Sequence, residues 1–183
     1  MTARAGMKIG NTEYRVQGPM LRVGQCAPDF RLTANDWTQR TLSDFGGRVK
    51  IFSVVPSLDT RVCAAQTRRF NEEAAHLSER VVVLTVSADL PYAQRRWCGA
   101  EGIERVLTLS DHFDMNFSDA YGVHVWEMRI CQRALLVVDT RDVVQFVEYV
   151  PTIGDEVDFD SALACARALV QSNVNDKNGS EHD

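Results

Sequence analysis

The segment Pro56-Ser57-Leu58-Asp59-Thr60-Arg61-Val62-Cys63 places a thiol three residues after a hydroxyl, where the apolar run Val49 to Val55 gives way to a helical pattern starting near Arg61. In the first turn of a helix, unpaired backbone N–H groups and the positive end of the helix dipole favour a thiolate over a thiol. A free cysteine titrates near about 8.5, and such surroundings commonly lower this to about 3.5 to 7.5. Pro56 stiffens the turn, and the Thr60 hydroxyl can reach back over it to bond the sulfur or an oxygen held there. The chemistry this supports is nucleophilic attack by Cys63 on a peroxide. The competing reading of the same spacing is a core thiol on an apolar helix face, with Thr60 only a cap.

The elements that must position this turn are legible as patterns. Val49 to Val55, Val81 to Val86 and Ala134 to Val138 are nearly continuous apolar runs, as in strands covered on both faces. Between the first two, Cys63, Thr67, Phe70, Ala74 and Leu77 recur at helical spacing, predicting a helix over 61–78 with Cys63 facing inward. SADLPYAQRRWCG predicts a second helix, with Asp89 as its cap, Pro91 in its first turn and Gly99 as its stop, so that Cys98 ends it. A strand over 105–109 and a helical piece over 113–121 follow. Val143 to Val150 comes after too short a turn for a parallel crossover, so it pairs antiparallel with the preceding strand. Phe159, Leu163, Ala166 and Val170 mark a final helix. Near the start, Gly10-Asn11 between Met7–Ile9 and Thr12–Val16 predicts an edge hairpin. The expected fold is α/β and thioredoxin-like: a mixed central sheet, helices on both faces and an N-terminal β-hairpin.

At 183 residues, 45% hydrophobic and 25% charged, the chain has the composition of one globular domain. We expect that domain over 1–172 and a disordered polar tail over 173–183. Twenty Lys and Arg against 25 Asp and Glu give a formal charge of −5 with no long basic run, which argues against nucleic acid and against an anionic membrane patch. No window approaches the roughly 20 apolar residues of a membrane span, and MTARAGMKIG lacks the apolar core of a secretory signal, so a soluble, cytoplasmic protein is expected. The cysteines, Cys26, Cys63, Cys98, Cys131 and Cys165, contain no Cys-x-x-Cys pair, and His76, His112, His124 and His182 show no metal-ligand spacing. No glycine-rich phosphate loop is present.

Pro-x-x-x-Thr-x-x-Cys at a strand-to-helix junction resembles the peroxidatic signature of peroxiredoxins. PSLDTRVCAAQTRRFNEEA and SADLPYAQRRWCGAEGIERVLTLS are similar, in the same order, to two blocks of one subfamily, the bacterial thiol peroxidases. The resemblance spans roughly residues 8 to 170. It implies that Cys63 is the peroxidatic cysteine, Cys98 the resolving cysteine, Thr60 the residue that positions the peroxide and Pro56 the proline that shields the pocket. Arg133, in CQRALLVVD, matches the arginine that holds the thiolate; without the family it reads equally well as an exposed strand-end side chain.

The implied activity is reduction of alkyl hydroperoxides and hydrogen peroxide through a Cys63 sulfenic acid and a Cys63–Cys98 disulfide. The implied reductant is thioredoxin and the implied assembly a homodimer, with no metal, haem or flavin. Both cysteines fall in separate helices, so disulfide formation requires local unwinding. Cys26, Cys131 and Cys165 lie outside the family pattern. Cys131, two residues before Arg133, is the one that could compete for the disulfide. YGVHVWEMRICQRA is shorter than the family usually has before the arginine strand. Two rivals remain: a disulfide oxidoreductase, whose usual Cys-x-x-Cys is missing, and a non-enzymatic sensor or relay that passes oxidation from Cys63 to a client protein.

Overall fold

A computed structural model describes residues 3–178. Its strands are β1 (Ala3–Ile9), β2 (Thr12–Gln17), β3 (Leu32–Ala34), β4 (Gln39–Arg40), β5 (Val49–Val54), β6 (Val81–Ser87), β7 (Leu107–Ser110), β8 (His124–Val125), β9 (Ile130–Cys131), β10 (Ala134–Val138) and β11 (Val144–Tyr149). The helices are α1 (Arg61–Ala74), α2 (Pro91–Glu101), α3 (Asn116–Ala120) and α4 (Phe159–Asn178), with a 3-10 turn at Leu42–Phe45.

The three apolar runs form the middle of a seven-stranded sheet of order β11-β10-β5-β6-β7-β3-β4. β5, β6 and β7 are parallel, while β10 is antiparallel to both β5 and β11, so the sheet is mixed. Strand periodicity divides their side chains between two cores. Val49, Ile51, Val83, Leu135 and Val137 face Phe70 of α1 and Phe159, Leu163 and Ala166 of α4, with Trp97 and Cys98 of α2 packed at the border. Phe52, Val54, Leu84, Val86, Leu136 and Val138 face Phe30, Leu42, Phe45, Phe117 and Tyr121. The three long helices therefore share one face. The other is covered by α3, the 3-10 turn and an aromatic cluster in which Phe117 and Tyr121 stack at 4.0 Å.

The N-terminal hairpin turns at Gly10, whose φ is +58°. Instead of edging the main sheet it joins β8 and β9 in a second sheet of order β1-β2-β8-β9. Its inner edge touches the segment after β11: Lys8 N–H donates to Pro151 O at 2.7 Å and Ile153 N–H to Lys8 O at 3.0 Å.

Several boundaries differ from expectation for local reasons. α1 ends at Ala74 because Ala75, His76 and Leu77 fold back to carbonyls three residues earlier and tighten the last turn. α2 runs through Gly99 and stops at Gly102, which takes the left-handed conformation (φ +64°), and the N–H groups of Gly102 and Ile103 both return to Cys98 O. Cys98 thus lies inside the last turn of α2. Its N-cap is Leu90; the Asp89 carboxylate points elsewhere. α4 continues as helix to Asn178, past the 172 boundary, and residues 179–183 lie outside the described residues. No helix among the described residues is long and apolar enough to cross a membrane.

Candidate active site

β5 delivers the chain to Pro56, which is buried, and Val55 N–H extends the ladder to Val86 O at 2.9 Å. The turn 57–60 follows, and α1 begins with Thr60 as N-cap. Thr60 O accepts the first helical bond, from Ala64 N–H at 2.8 Å. Cys63 is therefore the third helical residue, among the N–H groups that have no acceptor within the helix. Cys63 is 1% exposed and clusters with Val55 and Leu58, against which the half-buried Trp97 packs.

The side chain that meets this sulfur is Arg133, just before β10. Arg133 is 1% exposed, and its Nη2 donates to Cys63 Sγ at 3.4 Å and to Ile153 O at 3.0 Å. Nη1 donates to Gln66 Oε1 at 2.7 Å, and Gln66 Nε2 passes the chain on to Ser53 Oγ at 2.8 Å. Nε has no partner, and among the described residues no carboxylate forms an ion pair with this guanidinium. A buried cation without an anion is costly, and the Cys63 sulfur is the group in contact with it that can supply one. Gln66 and the Ile153 carbonyl were absent from the sequence reading. Gln66 could have been found, because it lies one helical turn beyond Cys63; the carbonyl leaves no trace in residue type.

The other expected residues are placed as follows. Thr60 is exposed; its hydroxyl donates to Ser57 O at 3.0 Å and contacts neither the Cys63 sulfur nor the first-turn N–H groups. Cys98 is half-buried and turned toward β7, its Sγ 3.5 Å from Thr108 Oγ1, which accepts from Asn35 Nδ2 at 2.7 Å. Burial pushes the Cys98 thiol up, and the hydrogen bonds from Thr108 and Asn35 pull partly against it. It lines a cleft of about 410 Å³ with Asn35, Arg40, Arg48 and Thr108, whereas Cys63 belongs to a different cluster. All five cysteines are free thiols.

The family model described as "AhpC/TSA family" matches residues 23–147. The chain belongs to the AhpC/TSA family. Among its relatives, a thiol peroxidase of Streptococcus pneumoniae is 50% identical over 152 residues, covering 83% of this chain and 93% of that one. A thiol peroxidase of Bacillus subtilis is 49% identical over 154 residues, covering 84% and 92%. A peroxiredoxin-like protein from Aquifex aeolicus superposes with a TM-score of 0.83 at 31% identity, covering 91% of this chain and 98% of that one. Identity at this level and coverage makes this AhpC/TSA member an enzyme of the peroxiredoxin type, on a thioredoxin-like fold.

The remaining cysteines of this AhpC/TSA chain separate by environment. Cys131 is fully buried in the core face opposite α1, with Ser118 Oγ 3.2 Å from its sulfur, and burial pushes its thiol far up. It is on the wrong side of the sheet to compete for Cys63. Cys26 is exposed in a loop; Cys165 is half-buried in α4, and burial raises its thiol too. The shortened segment before Arg133 forms the β8–β9 hairpin, which leaves Trp126 and Met128 exposed. Among the described residues no cluster of His, Cys, Asp or Glu is arranged to hold a metal ion.

Proposed function

We propose that this peroxidase works through Cys63 as its peroxidatic thiolate and Cys98 as its resolving thiol, reducing alkyl hydroperoxides and hydrogen peroxide with electrons from thioredoxin. The observation that carries the reading is the Arg133–Cys63 contact: a buried guanidinium with no carboxylate partner, 3.4 Å from the sulfur. A thiolate there neutralises the cation, and the same guanidinium is preorganised to stabilise negative charge on the oxygen that leaves.

In the first step the Cys63 sulfur lone pair attacks the terminal peroxide oxygen. The S–O bond forms, the O–O bond breaks, and the departing oxygen leaves with the electron pair as alkoxide or hydroxide, to be protonated. Cys63 is oxidised to the sulfenic acid while the peroxide is reduced to alcohol or water. During this attack Thr60 serves from its N-cap position, its hydroxyl rotated off Ser57 O toward the bound peroxide, and Pro56 shields the pocket. In the second step the Cys98 thiolate attacks the Cys63 sulfur: the S–S bond forms, the S–O bond breaks, and hydroxide leaves and takes up the proton that Cys98 released on ionising to give water, before further oxidation of the sulfur. Because Cys98 is held against Thr108 and the two Cα atoms must come within about 7 Å, the first turn of α1 and the last of α2 unwind to form the bond. A dithiol protein of the thioredoxin type returns both cysteines to thiols through a mixed disulfide.

A homodimer in the cytoplasm is part of the same reading. A contiguous aromatic surface supports self-association: Tyr92, Trp37, His112 and Phe113 follow ring to ring at 4.8, 6.1 and 6.4 Å, and Phe113 is 76% exposed.

The deciding experiment is peroxide consumption coupled to a thioredoxin system by wild type, Cys63→Ser and Cys98→Ser. Loss of all turnover in the first variant, and one oxidation without recycling in the second, is the expected pattern. Full turnover by Cys63→Ser overturns the assignment. Oxidation of wild type without turnover, accompanied by client-linked disulfides, establishes a relay instead.

A further inference from the structure

We propose that Asp89 is the positioning residue that holds the Cys63 turn in its peroxide-reactive shape and ties it to the helix carrying Cys98. The inference rests on the roles given above to those two cysteines.

Asp89 follows β6 and lies one residue before Leu90, the N-cap of α2. Here it turns across to the other segment. Oδ1 accepts from Ser57 Oγ at 2.7 Å, and Oδ2 accepts from Leu58 N–H at 2.8 Å and from Ser87 Oγ at 2.8 Å. The Ser87 hydroxyl in turn accepts from Gln94 Nε2 at 3.0 Å; Gln94 is fully buried in α2 and also donates to Leu109 O at 3.1 Å. A continuous polar line therefore runs from α2, through the end of β6, into the turn before Cys63.

Both anchored residues bear on the reacting thiol. Leu58 is 2% exposed and forms one wall of the Cys63 pocket, so fixing its N–H places that wall. Ser57 opens the turn 57–60 that ends on Thr60, the N-cap of α1, so fixing Ser57 places the start of that helix while the Thr60 hydroxyl stays free to turn from Ser57 O to the peroxide. Without the carboxylate, the Leu58 N–H loses its acceptor, the turn opens and the first turn of α1 frays, drawing Cys63 away from Arg133. The charge itself works against a nearby thiolate, so the contribution of Asp89 is geometric. An asparagine can reproduce it: its oxygen accepts from Leu58 and Ser87, and its amide donates to the Ser57 hydroxyl.

Opening the turn has opposite effects on the two steps. Peroxide attack needs the closed arrangement, whereas forming the Cys63–Cys98 bond needs it open. Loss of this tie slows the first step and speeds the second, a split that general destabilisation does not produce.

Reduced wild type, Asp89→Ala, Asp89→Asn and Ser57→Ala are mixed with hydrogen peroxide in stopped flow, and Cys63 sulfenic, sulfinic and disulfide species are followed by quenched mass spectrometry. Asp89→Ala should oxidise at Cys63 about tenfold or more slowly, since small misplacements of reacting groups carry penalties of this order. It should then form disulfide faster than wild type and accumulate less sulfinic acid. Asp89→Asn should keep both rates near wild type. Ser57→Ala, which removes one of the three bonds, should show a smaller shift in the same direction and serves if Asp89→Ala does not fold. An unchanged oxidation rate in the folded variants, a parallel fall of both steps, or equal losses in Asn and Ala would overturn the proposal. Failure of wild type itself to be oxidised at Cys63 would overturn the underlying site reading, a result distinguishable from all of these.

Discussion

Arg133 Nη2 and Cys63 Sγ, 70 residues apart in sequence, meet at 3.4 Å in a site from which water is nearly excluded. The pairing is planar and forked: one guanidinium holds the sulfur, the Ile153 carbonyl and Gln66 together. Arg133→Lys keeps the charge but cannot make these contacts at once, so kcat/KM for peroxide should fall about a hundredfold, as on removal of a donor at a developing anion. Steady-state kinetics check this, with circular dichroism to confirm the fold. Activity within threefold of wild type would show that charge alone suffices.

Gln66 offers a sharper electrostatic test. It is a neutral acceptor for Arg133 Nη1 at 2.7 Å, which leaves the cation for the sulfur. Gln66→Glu introduces a carboxylate of nearly the same shape, which competes for that charge and disfavours the Cys63 thiolate. Alkylation of Cys63 at neutral pH, followed on its own peptide, should slow by about tenfold or more. Thermal stability should hold, because the buried cation gains a partner.

Cys98 titrates in the opposite sense to an activated thiol. Burial raises its folded-state value, so in reduced protein its alkylation should rise with pH through a midpoint above that of a free cysteine, about 8.5. Thr108→Val removes the hydroxyl 3.5 Å from its sulfur and should move that midpoint further up, while Thr108→Ser should leave it in place. Identical profiles for Val and wild type would assign no role to Thr108.

Asp111 makes folding stability depend on pH. It is 1% exposed, and burial pushes its carboxyl up to about 6, against the pull of hydrogen bonds from the Ser118 and Phe117 N–H groups. The folded state then holds this proton more tightly than the unfolded chain. The associated stability is fully present below the ordinary carboxylate value and is lost as pH rises through about 6, on the order of 3 kcal/mol in all. Urea midpoints of wild type and Asp111→Asn between pH 4 and 7 test it. The advantage of wild type over the variant should shrink with rising pH, and a constant gap would contradict it.

What could be read from the sequence divides along physical lines. β5, β6 and β10 were legible because strands buried on both faces must be apolar throughout, and the turn carrying Cys63 was legible because an apolar run giving way to helical spacing marks the junction. β8 and β9, two residues each, are too short to carry any periodicity. Gly99 and Gly102 compete for one helix end, and only the backbone geometry shows which adopts positive φ. Asp89 does not cap the helix as local propensity suggests, because propensity sees only its neighbours in the chain, while two of the three donors that claim its carboxylate come from 31 and 32 residues away. Arg133 was found through family resemblance; its support by Gln66 and by a main-chain oxygen belongs to tertiary structure.

The oxygen that steadies Arg133 belongs to Ile153, and the Ile153 amide is itself moored to Lys8 in the first strand. The amino-terminal ribbon is thus a remote strut of the Arg133–Cys63 contact. Clipping off that ribbon should shift Arg133 against Cys63 without touching either side chain.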